Sequence, residues 1–239
     1  IIKQRVGDLR RAAEYFERAY EYDPSHRETL QALMDNYEAT QNWTRYIELT
    51  RHMVAQEEDP TIKYAQLNKI GDLYVQAQDQ QNAILAYLEA LDIDPRSLNV
   101  LRKLLDHYTR NRQSVEAADI LKALIENEAD DARKAKFAYT VAGIYRDEIR
   151  DLDKSVEFFN VALDLDFRGM LKSFEAIDRI LTEARNWKGL ERAYRAMLKR
   201  VTPHQEDPDI KPMLILLWKG LGEIYRTRLG GTGANAEAA

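Results

Sequence analysis

Cysteine is absent from this chain of 239 residues, which excludes a disulfide framework, a thiolate zinc site and a cysteine nucleophile. A Cys-free chain tolerates oxidising and reducing surroundings equally, so the compartment stays open, with the cytoplasm favoured. Long apolar runs are missing too. The longest, Met213 to Trp218, has six residues, far short of the roughly 20 that cross a bilayer. No membrane span is expected. The opening IIKQRVGDLRRAA has no initiating Met and no basic region followed by an apolar stretch, so no signal peptide is visible. Histidine is scarce: His26, His52, His107 and His204 are scattered without an i, i+4 His or acidic companion, and neither a metal nor any other cofactor is expected.

Glycine and proline are few as well, 10 and 6 residues. What fills the chain is Ala, Leu, Glu, Lys, Arg and Gln, the residues that favour helices, and strand signals are nearly absent. The 45% hydrophobic content is enough for a continuous core. The net charge of −5 hides an asymmetry. Residues 1 to 60 carry 8 Lys+Arg and 12 Asp+Glu, a balance of −4, whereas residues 168 to 230 carry 13 against 8, a balance of +5. Such polarity suits an elongated molecule whose ends attract different partners.

Self-similarity is the strongest signal. AAEYFERAYEYDP (12 to 24), NAILAYLEALDIDP (82 to 95) and KSVEFFNVALDLDF (154 to 167) share an aromatic, an Ala three residues on and an acidic tail; their closing residues Pro24, Pro95 and Phe167 fall 71 and 72 residues apart. Between them stand TLQALMDNY (29 to 37), VLRKLLDHY (100 to 108) and FEAIDRIL (174 to 181). The unit of roughly 72 residues therefore holds two helical hairpins. Helices are expected near 8 to 22, 26 to 40, 43 to 57, 61 to 77, 80 to 92, 97 to 110, 114 to 128, 132 to 149, 152 to 165, 169 to 184, 187 to 201 and 209 to 229. Asp59-Pro60 and Asp207-Pro208 read as helix starts, the Asp capping and the Pro entering the first turn. Asn42 and Asn186 precede Trp43 and Trp187 and can cap the helices that follow. The two Trp lie 144 residues apart, two full units, which assigns them to the core and not to ligand stacking.

Residues 67 to 95 resemble the tetratricopeptide repeat: Leu67, Ile70, Gly71, Tyr74, Ala83, Tyr87, Ala90 and Pro95 occupy its successive signature positions. Small residues at Gly71, Ala83 and Ala90 let two antiparallel helices approach, and Tyr74 and Tyr87 fill the space beside them. Trp218, Leu221, Gly222 and Tyr225 repeat the first half of the pattern; Val141, Ala142, Tyr145, Ser155, Phe159 and Ala162 repeat it with Ala and Ser at small positions. Met34, Leu105 and Asp178 stand where a small residue is expected, so those hairpins must pack wider or shifted. The resemblance implies an all-α fold, a right-handed α-solenoid of antiparallel helical hairpins. It forms one domain over 1–239, with about six hairpins as alternating pairs. Both ends cut a hairpin: the chain begins in the tail of a first helix and ends at GANAEAA, the start of a second. More repeats or a partner are expected to cover both ends.

The resemblance also implies function: a scaffold or adaptor that binds a protein or peptide in the concave groove lined by the first helix of each hairpin. Its groove candidates are Glu28, Gln31, Asp35, Asn68, Asp72, Arg102, Asp106, Lys136, Tyr139, Lys172, Glu175, Arg179 and Lys219. The family's clamp for chaperone C-terminal carboxylates needs Lys, Asn and Arg at set groove positions, a combination absent here. Arg185, Lys188, Arg192, Arg195 and Lys199 follow each other at spacings of 3, 4, 3 and 4 and read as one basic stripe along a helix, a docking surface for an anionic partner or an ordinary solvated face. An acidic pI near 5.5 and no interleaved exposed aromatics disfavour nucleic acid. Carboxylates pair by chance in a chain with 31% charged residues, so no catalytic residue and no enzyme activity are expected. LGGTGANAEA (229 to 238) reads as a hairpin loop, because it follows a helix where a phosphate-binding turn follows a strand. The alternatives are a half-a-TPR-like RNA-processing scaffold, the helical regulatory region of a larger enzyme, and a self-assembling array.

Overall fold

Local hydrogen bonding decides where each helix stops, and in this chain the stops are alike. The computed structural model describes residues 9–229, and its helices are α1 (Leu9–Tyr22), α2 (Arg27–Ala39), α3 (Trp43–Gln56), α4 (Pro60–Gln76), α5 (Gln80–Ile93), α6 (Leu98–Arg110), α7 (Ser114–Asn127), α8 (Asp131–Ile144), α9 (Leu152–Asp166), α10 (Leu171–Glu183), α11 (Trp187–Val201) and α12 (Lys211–Ile224). No strand occurs among the described residues. The expected start and end of the chain within hairpins, including GANAEAA and the LGGTGANAEA loop beyond Leu229, lie outside the described residues.

After α2, α4, α6, α8 and α10 one residue turns into the left-handed region: Gln41 (φ 53°), Gln78 (60°), Arg112 (55°), Arg150 (66°) and Arg185 (53°). None is glycine, although that conformation costs an L residue about 1–2 kcal/mol. The residue after it compensates by working twice. The N–H of Asn42, Asp79, Gln113 and Asn186 donates back to the carbonyl five residues earlier, on Tyr37, Tyr74, Tyr108 and Leu181, satisfying a helix-end acceptor. Three of the four then cap the next helix: Asn42 Oδ1 accepts from Arg45 N (3.4 Å), Asp79 from Asn82 N (3.1 Å) and Asn186 from Gly189 N (2.9 Å). At the α8–α9 turn Asp151 reaches back one residue further, to Tyr145 O (2.9 Å), because the helix runs on as a π turn, Tyr145–Ile149. A second π turn, Tyr225–Leu229, follows α12, and both open on the same Ile-Tyr-Arg run.

Asp59 caps α4 by accepting from Thr61 N (2.8 Å), with Pro60 at the first helical position. Asp207-Pro208 departs from expectation. Helix α12 starts at Lys211, and Asp207 instead holds a turn by accepting from Asp209 N (3.0 Å) while its other oxygen takes the Arg168 guanidinium (2.8 Å). Asp207 makes the same bond to the second amide on that Asp59 makes, yet the segment stays a turn until Lys211.

The chain divides into two compact units, up to His107 and from Tyr108, each described by itself. In both, a helix packs chiefly on its predecessor and its successor, the nearest-neighbour stacking of repeat architectures. In unit 1 the tightest approach is α4 on α5. Gly71 is buried, and a Cβ placed there would lie within 2.7 Å of Cε1, Cδ1 and Cζ of Tyr87, whose side chain is 1% exposed. The Tyr87 hydroxyl donates to Asp72 Oδ1 (2.6 Å); burial first and then that carboxylate push the phenol up, so it remains a donor. Unit 2 repeats the device with other residues: Tyr194 donates to Asp178 Oδ2 (2.9 Å). Asp178, an exception to the small-residue pattern, is accommodated because a half-buried carboxylate has found a hydroxyl.

The unit 2 core gathers Ala142, Phe159, Leu163, Ile177, Leu190, Met197, Val201 and Leu217, with Trp187 packed against it. Ser155, fully buried in α9, donates to Ala142 O (2.9 Å), so a polar residue at a small position is satisfied by the facing backbone. Trp43 and Trp187 are half-buried, and the Arg228 guanidinium lies 4.6 Å above the Trp187 ring.

Candidate functional site

A cleft of about 730 Å³ lies within unit 2. One wall is α10, which points Lys172, Glu175, Arg179 and Glu183 into it; these are spaced 3, 4 and 4 residues apart and so share a face. The other wall is the C-terminal half of α8 and its π turn, with Tyr139, Arg146, Asp147 and Arg150. A π turn widens the helix by one residue per turn and re-aims the side chains that follow, which is how Arg146 and Arg150 both face the cleft.

Electrostatically the lining is of two kinds. Arg146 and Asp147 clamp each other through Nε–Oδ1 and Nη2–Oδ2, both 2.7 Å; the guanidinium holds the Asp147 carboxyl below its usual range, with Arg150 adding to the effect. Arg146 also sits over the buried Phe159 ring at 5.8 Å, and Tyr139 meets that ring edge-on at 5.4 Å. Lys172, Glu175, Arg179 and Glu183 are exposed and form no ion pair or hydrogen bond among the described residues. A wall carrying the Arg146–Asp147 pair thus faces a wall of exposed charges.

Of the groove candidates, four meet in this cleft: Tyr139, Lys172, Glu175 and Arg179. Lys136 and Lys219 are exposed on α8 and α12 and do not line it. In unit 1, Asn68 and Asp72 on α4 are joined by Lys103 of α6, whose ammonium donates to Asn68 Oδ1 (2.9 Å) and Asp72 Oδ1 (2.6 Å); Asp72, holding Tyr87 as well, is committed to the fold. Gln31 donates to Asp35 Oδ1 (2.7 Å) along α2, while Glu28, Arg102 and Asp106 are exposed. Lys103, Arg146, Asp147, Arg150 and Glu183 escaped the sequence reading. The run Tyr145-Arg-Asp-Glu-Ile-Arg-Asp carried the signal, a charge cluster at a helix end.

The basic stripe needs correction. Helix α11 begins at Trp187, so Arg185 lies in the preceding turn at φ 53°. Arg195 is exposed but already engaged: it pairs with Glu191 and donates to the Tyr225 hydroxyl (2.7 Å), which in turn donates to Glu191 Oε1 (2.7 Å). Lys188, Arg192 and Lys199 remain exposed. The Tyr225 hydrogen bond first, and then Arg195, hold the Glu191 carboxyl below the usual glutamate range. A depressed acid stabilises the fold above its unfolded value and loses that contribution as pH falls through the folded one. Tyr225→Phe is therefore expected to move the Glu191 titration, followed by carboxyl ¹³C NMR, upward and to narrow that acid window; an unmoved midpoint would show that the hydroxyl is idle.

The tetratricopeptide-repeat family profile matches residues 2–26 and 67–97. No curated protein matches in sequence. Solved structures with similar chains include MamA (20% identity over 68% of this chain and 91% of that one, TM-score 0.41). Two others are YrrB, a tetratricopeptide-repeat protein with an unusual peptide-binding site (17%, 72% and 84%, 0.41), and BtubC from P. vanneervenii (16%, 86% and 92%, 0.39).

Proposed function

We propose, from the premise that this chain is a tetratricopeptide-repeat protein, that it is a non-catalytic interaction scaffold holding a segment of a protein partner in the cleft between α8 and α10. The carrying observation is the set of open charges on α10, Lys172, Glu175, Arg179 and Glu183, lining one concavity beside the half-buried Tyr139. Exposed charges that form no hydrogen bond or ion pair among the described residues are available to select an incoming segment, and the aromatic supplies contact area at low entropy cost. On the opposite wall Arg146 is paired with Asp147 and lies over the Phe159 ring, contacts that reduce the ordering needed on binding.

A display selection from a random peptide library against the 239-residue chain tests this. A consensus peptide is expected, and Lys172→Glu with Arg179→Glu is expected to weaken it by roughly a hundredfold, about tenfold for each reversed charge. An empty selection, or a consensus indifferent to both reversals, would overturn the reading.

A further inference from the structure

A second cleft, about 480 Å³, opens in unit 1 between α1, α2 and α3, and its chemistry is opposite to that of the first. Its floor is apolar and aromatic: Leu33 and Tyr37 from α2, both buried, with Leu49 from α3. Tyr20 of α1 forms a wall, its hydroxyl tied to His52 Nδ1 at 2.7 Å. Three carboxylates, Glu17, Glu21 and Glu48, face one cation, Arg45.

We infer that this cleft takes the side chain of an arginine carried by a protein partner. A guanidinium is the group that matches both features at once. Its faces are weakly hydrated and lie on aromatic and aliphatic surface, while its edges donate to carboxylates. Lysine, a compact and strongly hydrated charge, uses only the carboxylates. Glu21 has no hydrogen bond or ion pair among the described residues and offers both oxygens. Glu48 is held by Arg45 (3.0 Å) in an i, i+3 pair with both side chains more than half exposed, a contact weak enough to be exchanged. Glu17 accepts from the Tyr37 hydroxyl (2.7 Å) and keeps its second oxygen. After burial, Glu17 pushes the Tyr37 phenol up, Arg45 offsets part of this, and Glu48 adds a smaller upward push. The site is separate from the unit 2 cleft and does not depend on it.

The test is a ¹H–¹⁵N NMR titration of the whole chain with N-acetylarginine amide, and with the citrulline analogue, which keeps the shape and loses the charge. Saturable shifts confined to residues around Tyr20, Tyr37 and Leu49 are expected for arginine, with at least tenfold weaker binding for citrulline. The variant Glu21→Gln with Glu48→Gln, both surface positions, is expected to lose arginine binding at least tenfold while its spectrum elsewhere is unchanged; Glu21→Gln alone serves if the double variant unfolds. Shifts of equal size with citrulline, shifts scattered over the acidic surface, or no saturable shift overturn the inference. Signals of Tyr139 and Arg179 stay still in the expected outcome, so failure of the unit 2 cleft as a peptide site reads separately.

Discussion

Gly71→Ala is expected to destabilise unit 1 by about 2 kcal/mol, whereas Gly143→Ala is expected to stabilise unit 2 by about 0.5–1 kcal/mol. Both glycines lie inside helices, α4 and α8, where alanine is intrinsically preferred by close to 1 kcal/mol. Space decides the sign. At Gly143 a Cβ would meet nothing within 4 Å, and the propensity gain survives. At Gly71 it would overlap three ring atoms of Tyr87. That ring is buried and anchored through its hydroxyl to Asp72, so it cannot swing aside without abandoning a hydrogen bond. An overpacking cost of about 3 kcal/mol then outweighs the propensity gain. Urea unfolding of the two variants measures this, and equal stabilisation by both would mean that α4 and α5 are not in contact at Gly71.

Phe159→Ala is expected to cost about 4 kcal/mol, the range for a fully buried aromatic cut to a methyl. The side chain is 0% exposed at the centre of the unit 2 core, among residues of several helices that cannot all collapse into the void. Phe159→Leu, which keeps most of the volume, is expected to cost about 1 kcal/mol and to remain folded. It carries the more informative result, because Phe159 supports Tyr139 and Arg146 from beneath. Binding of a selected peptide in the unit 2 cleft should weaken in Phe159→Leu, although the substitution touches no cleft surface. Thermal unfolding and peptide titration of the same samples separate the two effects; unchanged affinity would show that the cleft wall holds itself.

The helices were legible because their causes are local. Alanine-rich runs, the Asn residues before Trp43 and Trp187, and Asp59-Pro60 each act within a turn or two, and α3, α4 and α11 begin where they indicate. The close pair Gly71 and Tyr87 was legible for another reason: a small residue and a large one at fixed repeat positions imply each other. The left-handed residues were not, since Gln41, Gln78, Arg112, Arg150 and Arg185 are residue types without that preference, held there by the two-way bonding of their successors. The π turns were read as continuous helix because no side-chain pattern distinguishes an extra backbone residue. Asp207-Pro208 misled because the local bond from Asp209 N forms there without starting a helix, α12 beginning only at Lys211.

By itself, the order of residues determined the helices, since these follow from propensity, capping and hydrophobic period acting over short distances. Only the tertiary structure decided which polar groups are spent and which are open. Asp72, Asn68 and Arg195 looked like binding residues and are taken up by Tyr87, Lys103, Glu191 and Tyr225. Lys172 and Arg179 looked no different and have no such partner among the described residues. Whether a charge is satisfied depends on atoms within about 4 Å, brought there by packing between helices, and that distance is not written along the chain.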